Sequence, residues 1–229
     1  MLIAENLLLL LTADDTGKLT ADSTKTNMAV GGALLAELAL TQRVDLAGPD
    51  ERVREGRLIV RDASPTGDSV LDDALATVGD KEGKKPQSVV AGLGKRTRVQ
   101  LYERLAEAGL LRADAGRILG VFPTHRWPAE DAGHETAVRT GLVTALRDGV
   151  TTDARTRALV SLLLALKAVQ KAVDSDYLGL SKRELNASAK RIAEGDWVGK
   201  AVRSAIDTET ATIFGGIAVA SSSGGGGGS

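Results

Sequence analysis

The sequence predicts a mainly α fold, a single-domain helical bundle with short β-hairpins, and three observations carry that expectation. Hydrophobic residues make up 43% of the 229 residues, enough to bury a sizeable core as one domain or two small ones. Aromatic residues are only 3%, so the core must be Leu, Ala and Val packed on each other. Ala and Leu favour helix, while the long β-branched and aromatic runs that favour strands are scarce.

The elements follow in order. Ala4–Thr12 is apolar and ends at the turn signal Asp14-Asp15-Thr16-Gly17. Thr24–Gln42 carries small residues (Ala29, Gly31, Gly32, Ala33) into an apolar LLAELAL block at Leu34–Leu40. Small side chains let helices approach closely, so this segment is expected to be a central, buried helix. Short alternating or β-branched runs at Arg43–Leu46 and Arg57–Arg61 flank Gly48-Pro49-Asp50 and suit a hairpin. Ser64-Pro65-Thr66-Gly67-Asp68 reads as a turn delivering an N-cap to a helix over Ser69–Val78, with Asp72 and Asp73 near its positive end. A charged linker, Gly79–Pro86, precedes a helix expected over Arg96–Ala108, with Gly109 as its stop. Arg117–Trp127 reads as a second hairpin with Pro123-Thr124-His125 near its tip. Helices are then expected over about Ala129–Arg147, Asp153–Val173, Ser181–Glu194 and Val198–Ile217. Residues 1–220 form one domain in this reading, and Ser221–Ser229 is a flexible Gly/Ser tail unable to bury anything.

Composition narrows the function classes. With no cysteine, disulfides, thiolate chemistry and zinc fingers are excluded, and a reducing compartment is the natural home. Two histidines and no HExxH or EF-hand loop give no metal site, and no cofactor is expected. Leu7–Leu11 follows Glu5 rather than a basic stretch and is far short of the roughly 20 residues of a membrane span. The expectation is a cytoplasmic protein without a signal peptide. The net charge of −1 speaks against wholesale nucleic-acid binding. Charge is nevertheless uneven: Lys81 to Arg98 carries six basic residues against the single acid Glu82.

Lys95-Arg96-Thr97-Arg98, placed at a helix start, is the strongest binding candidate. A helical wheel sets Arg98 within the apolar arc of Val99, Leu101, Tyr102, Leu105 and Ala106, with Lys95 one turn earlier toward the same side. Cations there oppose the macrodipole, and a bound phosphate would relieve that while using the unpaired N–H groups. The alternative is a solvated basic stretch whose side chains bend outward or pair with acids. Two other constellations are weaker. Gly67-Asp68-Ser69 and Asp131-x-x-His134 resemble blocks of an esterase, but Ser69 is better explained as a helix-start residue and the strand–turn–helix alternation of an α/β hydrolase is missing. Two helix-then-hairpin units suggest a winged-helix DNA reader, but Leu34–Leu40 is apolar all round and lacks the polar side chains that read bases.

Five motifs occur in a fixed order: Leu8–Gly17, Leu35–Leu40, Asp62–Leu75, Arg98–Leu111 and Phe122–Arg126. Together they resemble the Golgi phosphoprotein 3 family, over roughly Ala4 to Leu166. The Ala-, Gly- and Asp-rich style is that of a bacterial relative. The resemblance implies a non-enzymatic peripheral membrane protein on the cytosolic membrane face, binding the anionic lipid phosphatidylinositol 4-phosphate. It carries two head-group arginine positions onto Lys95 and Arg98, with Arg96 nearby as a further lipid-phosphate contact. The family's tryptophan position falls near Asp22 and its remaining arginine on Gly31, so the site is partly degenerate. Lys also lacks the bidentate fork of Arg. General attraction to anionic lipid is expected to survive better than recognition of the 4-phosphate. The resemblance further implies a hairpin for membrane or homo-oligomer contact, here Leu119, Val121, Phe122 and Trp127. Burying one such aromatic is worth at most about 4–6 kcal/mol. Because the motifs begin close to Met1, the trafficking role of the family's basic N-terminal tail is not expected. A scaffold protein of the same fold without lipid binding is the alternative reading.

Overall fold

The computed structural model describes residues 1–118, 122–173 and 179–208, and at 115–118 and 122–125 the backbone alone. It is mainly helical, with two two-stranded antiparallel sheets among the described residues. One contiguous cluster of buried side chains runs from Leu2 to Ile206.

Helix α1 (Ile3–Leu10) is buried at every residue but Asn6, Glu5 included. Its N-terminal N–H groups therefore need internal acceptors. Leu2 donates to Glu5 Oε2 at 2.7 Å and Ile3 to Glu37 Oε2 at 2.9 Å. Glu37, inside the LLAELAL block, is thus a remote cap for α1, and its other oxygen holds Arg155.

Helix α2 (Ser23–Leu40) is the central helix that its small residues predict, with twelve of eighteen residues buried. It crosses α4 (Val90–Glu107) at backbone contact. A Cβ on Gly31 would lie 1.9 Å from the Val90 carbonyl oxygen, and one on Gly94 would lie 1.7 Å from that of Asn27. The sequence predicts α4 only from Arg96, because Gly92 and Gly94 are poor helix formers costing about 1 kcal/mol each. The structure starts it six residues earlier, since the Gly94 position is what lets the two backbones meet. The helix stops as expected. Gly109, at φ +72, donates to Ala106 O at 2.9 Å and Leu110 donates to Leu105 O at 3.0 Å, a Schellman cap.

The first hairpin matches its prediction, with β1 (Val44–Leu46) pairing β2 (Leu58–Val60). Helix α3 (Ser69–Gly79) is capped by Asp68, whose carboxylate accepts from Val70 and Leu71 N–H. Asp72 in its first turn closes the preceding turn by accepting from Thr66 N (2.6 Å) and Oγ1 (2.7 Å). A 3-10 turn, Pro86–Ser88, leads into α4.

In the second hairpin β3 (Asp114–Ile118) pairs with β4 (Phe122–Arg126). Pro123, Thr124 and His125 lie within β4, opposite Arg117, Gly116 and Ala115. They are strand residues rather than the tip. Helix α5 (Gly133–Asp148) follows. The single helix predicted over Asp153–Val173 is instead α6 (Ala154–Ala165) and α7 (Val169–Ala172), separated where Lys167 turns to φ +56. Helix α8 (Lys182–Ile192) opens on a Ser181/Glu184 capping box, and α9 spans 197–208. The tail expected at 221–229 lies outside the described residues. Among the described residues, no helix is long and apolar enough to cross a membrane.

Candidate anion-binding site

Lys95 and Arg98 are the sixth and ninth residues of α4, too far along for that helix's own unpaired N–H groups to help. The phosphate site expected at the α4 start is therefore corrected. Arg98 instead adjoins a different helix end. The half-buried Arg98 donates from Nη1 to Ser23 O at 3.0 Å and to Ser23 Oγ at 2.8 Å, so it lies against the first turn of α2. Asp22 caps this helix by accepting from Lys25 N–H at 2.9 Å, which ties its carboxylate into the helix end. Lys95 is exposed, three residues before Arg98 on the adjoining turn.

Arg96 is separated from this pair. It lines a cavity of about 370 Å³ between α3 and α4, together with Asp73, Asp80 and Gln100. The three basic residues of the KRTR run thus face two different surfaces, with only Lys95 and Arg98 adjoining.

Beside Arg98 is a pocket of about 290 Å³ lined also by Lys18, Leu19, Val99, Tyr102 and Trp127. Its base is an aromatic stack: the Tyr102 and Trp127 rings lie 5.1 Å apart and 6° from parallel. Burial pushes the Tyr102 hydroxyl's pKa up, and this outweighs the bond to Thr12 and the Arg98 charge. Tyr102 therefore stays neutral, bonded to Thr12 Oγ1 at 2.8 Å. The loop carrying Lys18 is fixed by Gly17. At φ +61 a Cβ there would meet Trp127 N at 2.2 Å, and Trp127 N–H donates to Gly17 O at 3.0 Å.

Two neighbouring groups escape sequence reasoning. Lys171 Nζ donates to Thr20 O at 2.6 Å, bringing α7 to the same loop. Asn27, one turn after Ser23, has an enclosed side-chain oxygen with no hydrogen-bond partner among the described residues. The loop at 18–23 thus carries Lys18 and is met by Arg98 and Lys171. Gly31 is sealed in the helix crossing and can supply no cation.

The hairpin residues divide. Leu119 and Val121 lie outside the described residues, and Phe122 pairs with Ile118 at the first position of β4. Trp127 follows the strand and is 8% exposed. A membrane or homo-oligomer contact is expected of Trp127; here its indole stacks on Tyr102 and forms part of the pocket wall.

The esterase blocks have structural roles. Asp68 forms a two-pronged bond with Arg104, each contact 2.9 Å, as well as capping α3. His134 is bonded to Asn6 at 2.9 Å, and Asp131 accepts from Gly133 N–H at 2.7 Å. Among the described residues, no three His, Cys, Asp or Glu side chains are grouped to hold a metal ion.

Away from this site, the PTGD turn caps α3, the buried glutamate of LLAELAL caps α1 and Gly109 ends α4. A profile of the Golgi phosphoprotein 3 (GPP34) family matches residues 3–208, from the first residue of α1 to the last of α9. No curated protein matches the chain. With the match spanning the whole described helical core, the chain belongs to the Golgi phosphoprotein 3 (GPP34) family.

Proposed function

We propose that this protein is a non-enzymatic peripheral membrane protein of the cytosolic membrane face, binding anionic phospholipid at the α2 N-terminus. The observation that carries the reading is the Arg98–Ser23 contact, which sets a guanidinium against a helix N-terminus with Lys95 on the adjoining turn. Lys18 and Lys171 extend the cationic rim around the same loop. Asp22 already accepts from Lys25 N–H at this helix end, so the attraction for an anion comes from the basic side chains together with the helix dipole. Val99, 55% exposed beside Arg98, adds an apolar contact suited to a membrane surface.

Phosphatidylinositol 4-phosphate is the head group that family resemblance favours. With Asp22 and Gly31 at two of the pocket positions, preference for it over other anionic lipids is expected to be weak. The hairpin around Phe122 would supply the membrane or self-association contact. Co-sedimentation with vesicles of phosphatidylinositol 4-phosphate, phosphatidylserine or neutral lipid tests this. Binding to both anionic vesicles that falls with salt is expected, and equal binding to neutral vesicles would refute it.

A second reading is a scaffold protein of the same fold without lipid binding. It is favoured by the partners Arg98 already has, since two acceptors on Ser23 give that guanidinium a structural role.

A further inference from the structure

The packing of α6, α8 and α9 leaves an open cavity of about 630 Å³ on residues outside the site above. Lys190 and Arg191 come from the end of α8, and Lys200 and Arg203 from successive turns of α9. Glu194 and Asp196 lie on the same cavity, leaving four cations against two acids. Asp196 is already committed: its two oxygens accept from Val198 N–H at 3.1 Å and Gly199 N–H at 3.2 Å. The α9 N-terminus is therefore closed by its own cap, and the basic side chains set the attraction. Arg191 packs over the Gly149 turn at the end of α5. Lys190, Lys200 and Arg203 are exposed and make no hydrogen bond or ion pair among the described residues.

The wall of this cavity contains an anomaly. Ser161, on α6, is 2% exposed, and its hydroxyl has no hydrogen-bond partner among the described residues. A buried hydroxyl without a partner costs stability, and alanine would fit the same space. Gly199 has no Cβ, and one built there would come within 2.7 Å of Ser161 Cβ. A small residue on α9 thus brings that helix, with Lys200 and Arg203 on it, up against Ser161.

We propose that this cavity is a second anion site, taking a phosphate-bearing ligand whose oxygens accept from Ser161 Oγ and pair with Lys190, Lys200 and Arg203. The chemistry is shared by free phosphoanions and lipid head groups. The proposal does not depend on lipid binding at Lys95 and Arg98.

The test uses the full chain with Lys95→Ala/Arg98→Ala as background, which silences the first site. Pyrophosphate binding is followed by calorimetry in one arm, and sedimentation with phosphatidic acid vesicles in the other. Lys200→Ala/Arg203→Ala is expected to weaken binding at least about tenfold in the arm that represents the ligand's source. A response to pyrophosphate alone identifies a free phosphoanion, and a response to vesicles alone a lipid head group. Ser161→Ala is expected to weaken the same binding about three- to tenfold while the ligand-free unfolding temperature stays level or rises. No binding in either arm overturns the proposal, as does binding indifferent to Lys200→Ala/Arg203→Ala. A Ser161→Ala protein that keeps its affinity also overturns it, whatever its stability.

Discussion

Replacing Gly31 by alanine puts a methyl carbon 1.9 Å from the Val90 carbonyl oxygen, 2.7 Å from its carbon and 2.9 Å from its Cα. All three obstacles are backbone of the facing helix, so no rotamer change relieves them. The helices must part by about 1.5 Å before ordinary contact near 3.5 Å is restored. Overpacking of this kind costs about 1–3 kcal/mol, and a rigid obstacle puts it at the upper end. Alanine gains about 1 kcal/mol over glycine within a helix, which offsets part of that. The net expectation is a loss of about 2 kcal/mol, lowering the unfolding temperature by about 4–8 °C for a chain of this size. Gly92 supplies the control. It lies in the same α4 turn region with nothing within 4 Å of its missing Cβ, so Gly92→Ala should stabilise by about 0.5–1 kcal/mol. Urea unfolding of both variants measures the pair. If α4 began at Arg96, Gly92 would not be helical and no helix backbone at Val90 would press on Gly31. Equal effects of the two substitutions, or a stabilised Gly31→Ala, would then refute both the crossing and the placement of Lys95 and Arg98 that depends on it.

Further expectations concern the ties around the site. Asp68→Asn removes the charge that pairs with Arg104, at an expected cost of about 1–3 kcal/mol at neutral pH. Burial alone would raise the Asp68 carboxyl's pKa, but the bonds from Arg104, Leu71 N–H and Val70 N–H and the Arg104 charge outweigh it and lower the pKa overall. The group therefore contributes stability above its unfolded pKa, and this is lost as pH falls through the lower folded value. The difference between wild type and Asp68→Asn in urea should accordingly shrink below about pH 4. Glu37→Ala leaves Ile3 N–H and the Arg155 guanidinium without their acceptor and should cost about 2–4 kcal/mol, read as a lower urea midpoint. Trp127→Ala should cost about 3–5 kcal/mol of folding stability. A Trp127→Ala protein that unfolds like wild type but loses vesicle binding would restore the indole to the membrane.

The parts of this fold legible in sequence are those fixed by local chemistry. The PTGD turn reads as a cap because Asp68 needs only its next three residues to satisfy two N–H groups. Gly109 reads as a stop because positive φ is a local demand. The α2 segment reads as buried because its small and apolar residues leave no polar face. What failed depended on a partner. The start of α4 was lost because Gly92 and Gly94 look like loop residues, and only the backbone of α2 explains the second of them. The break at Lys167 carries no glycine or proline to announce it, and it governs where Lys171 is placed. Lys95 and Arg98 were legible as a pair through their spacing. The α2 end that Arg98 meets is not, because Ser23 lies 75 residues away in the chain from Arg98.

The central claim is that Lys95 and Arg98 hold anionic lipid at the α2 N-terminus. Its most direct test is co-sedimentation of wild type and Lys95→Ala/Arg98→Ala with phosphatidylinositol 4-phosphate vesicles at low salt, alongside their urea unfolding curves. At about 1 kcal/mol for each cation near an anionic surface, the double variant should bind about thirtyfold more weakly while remaining folded. A folded double variant that sediments like wild type would contradict the account and leave Arg98 as a structural tie between α2 and α4.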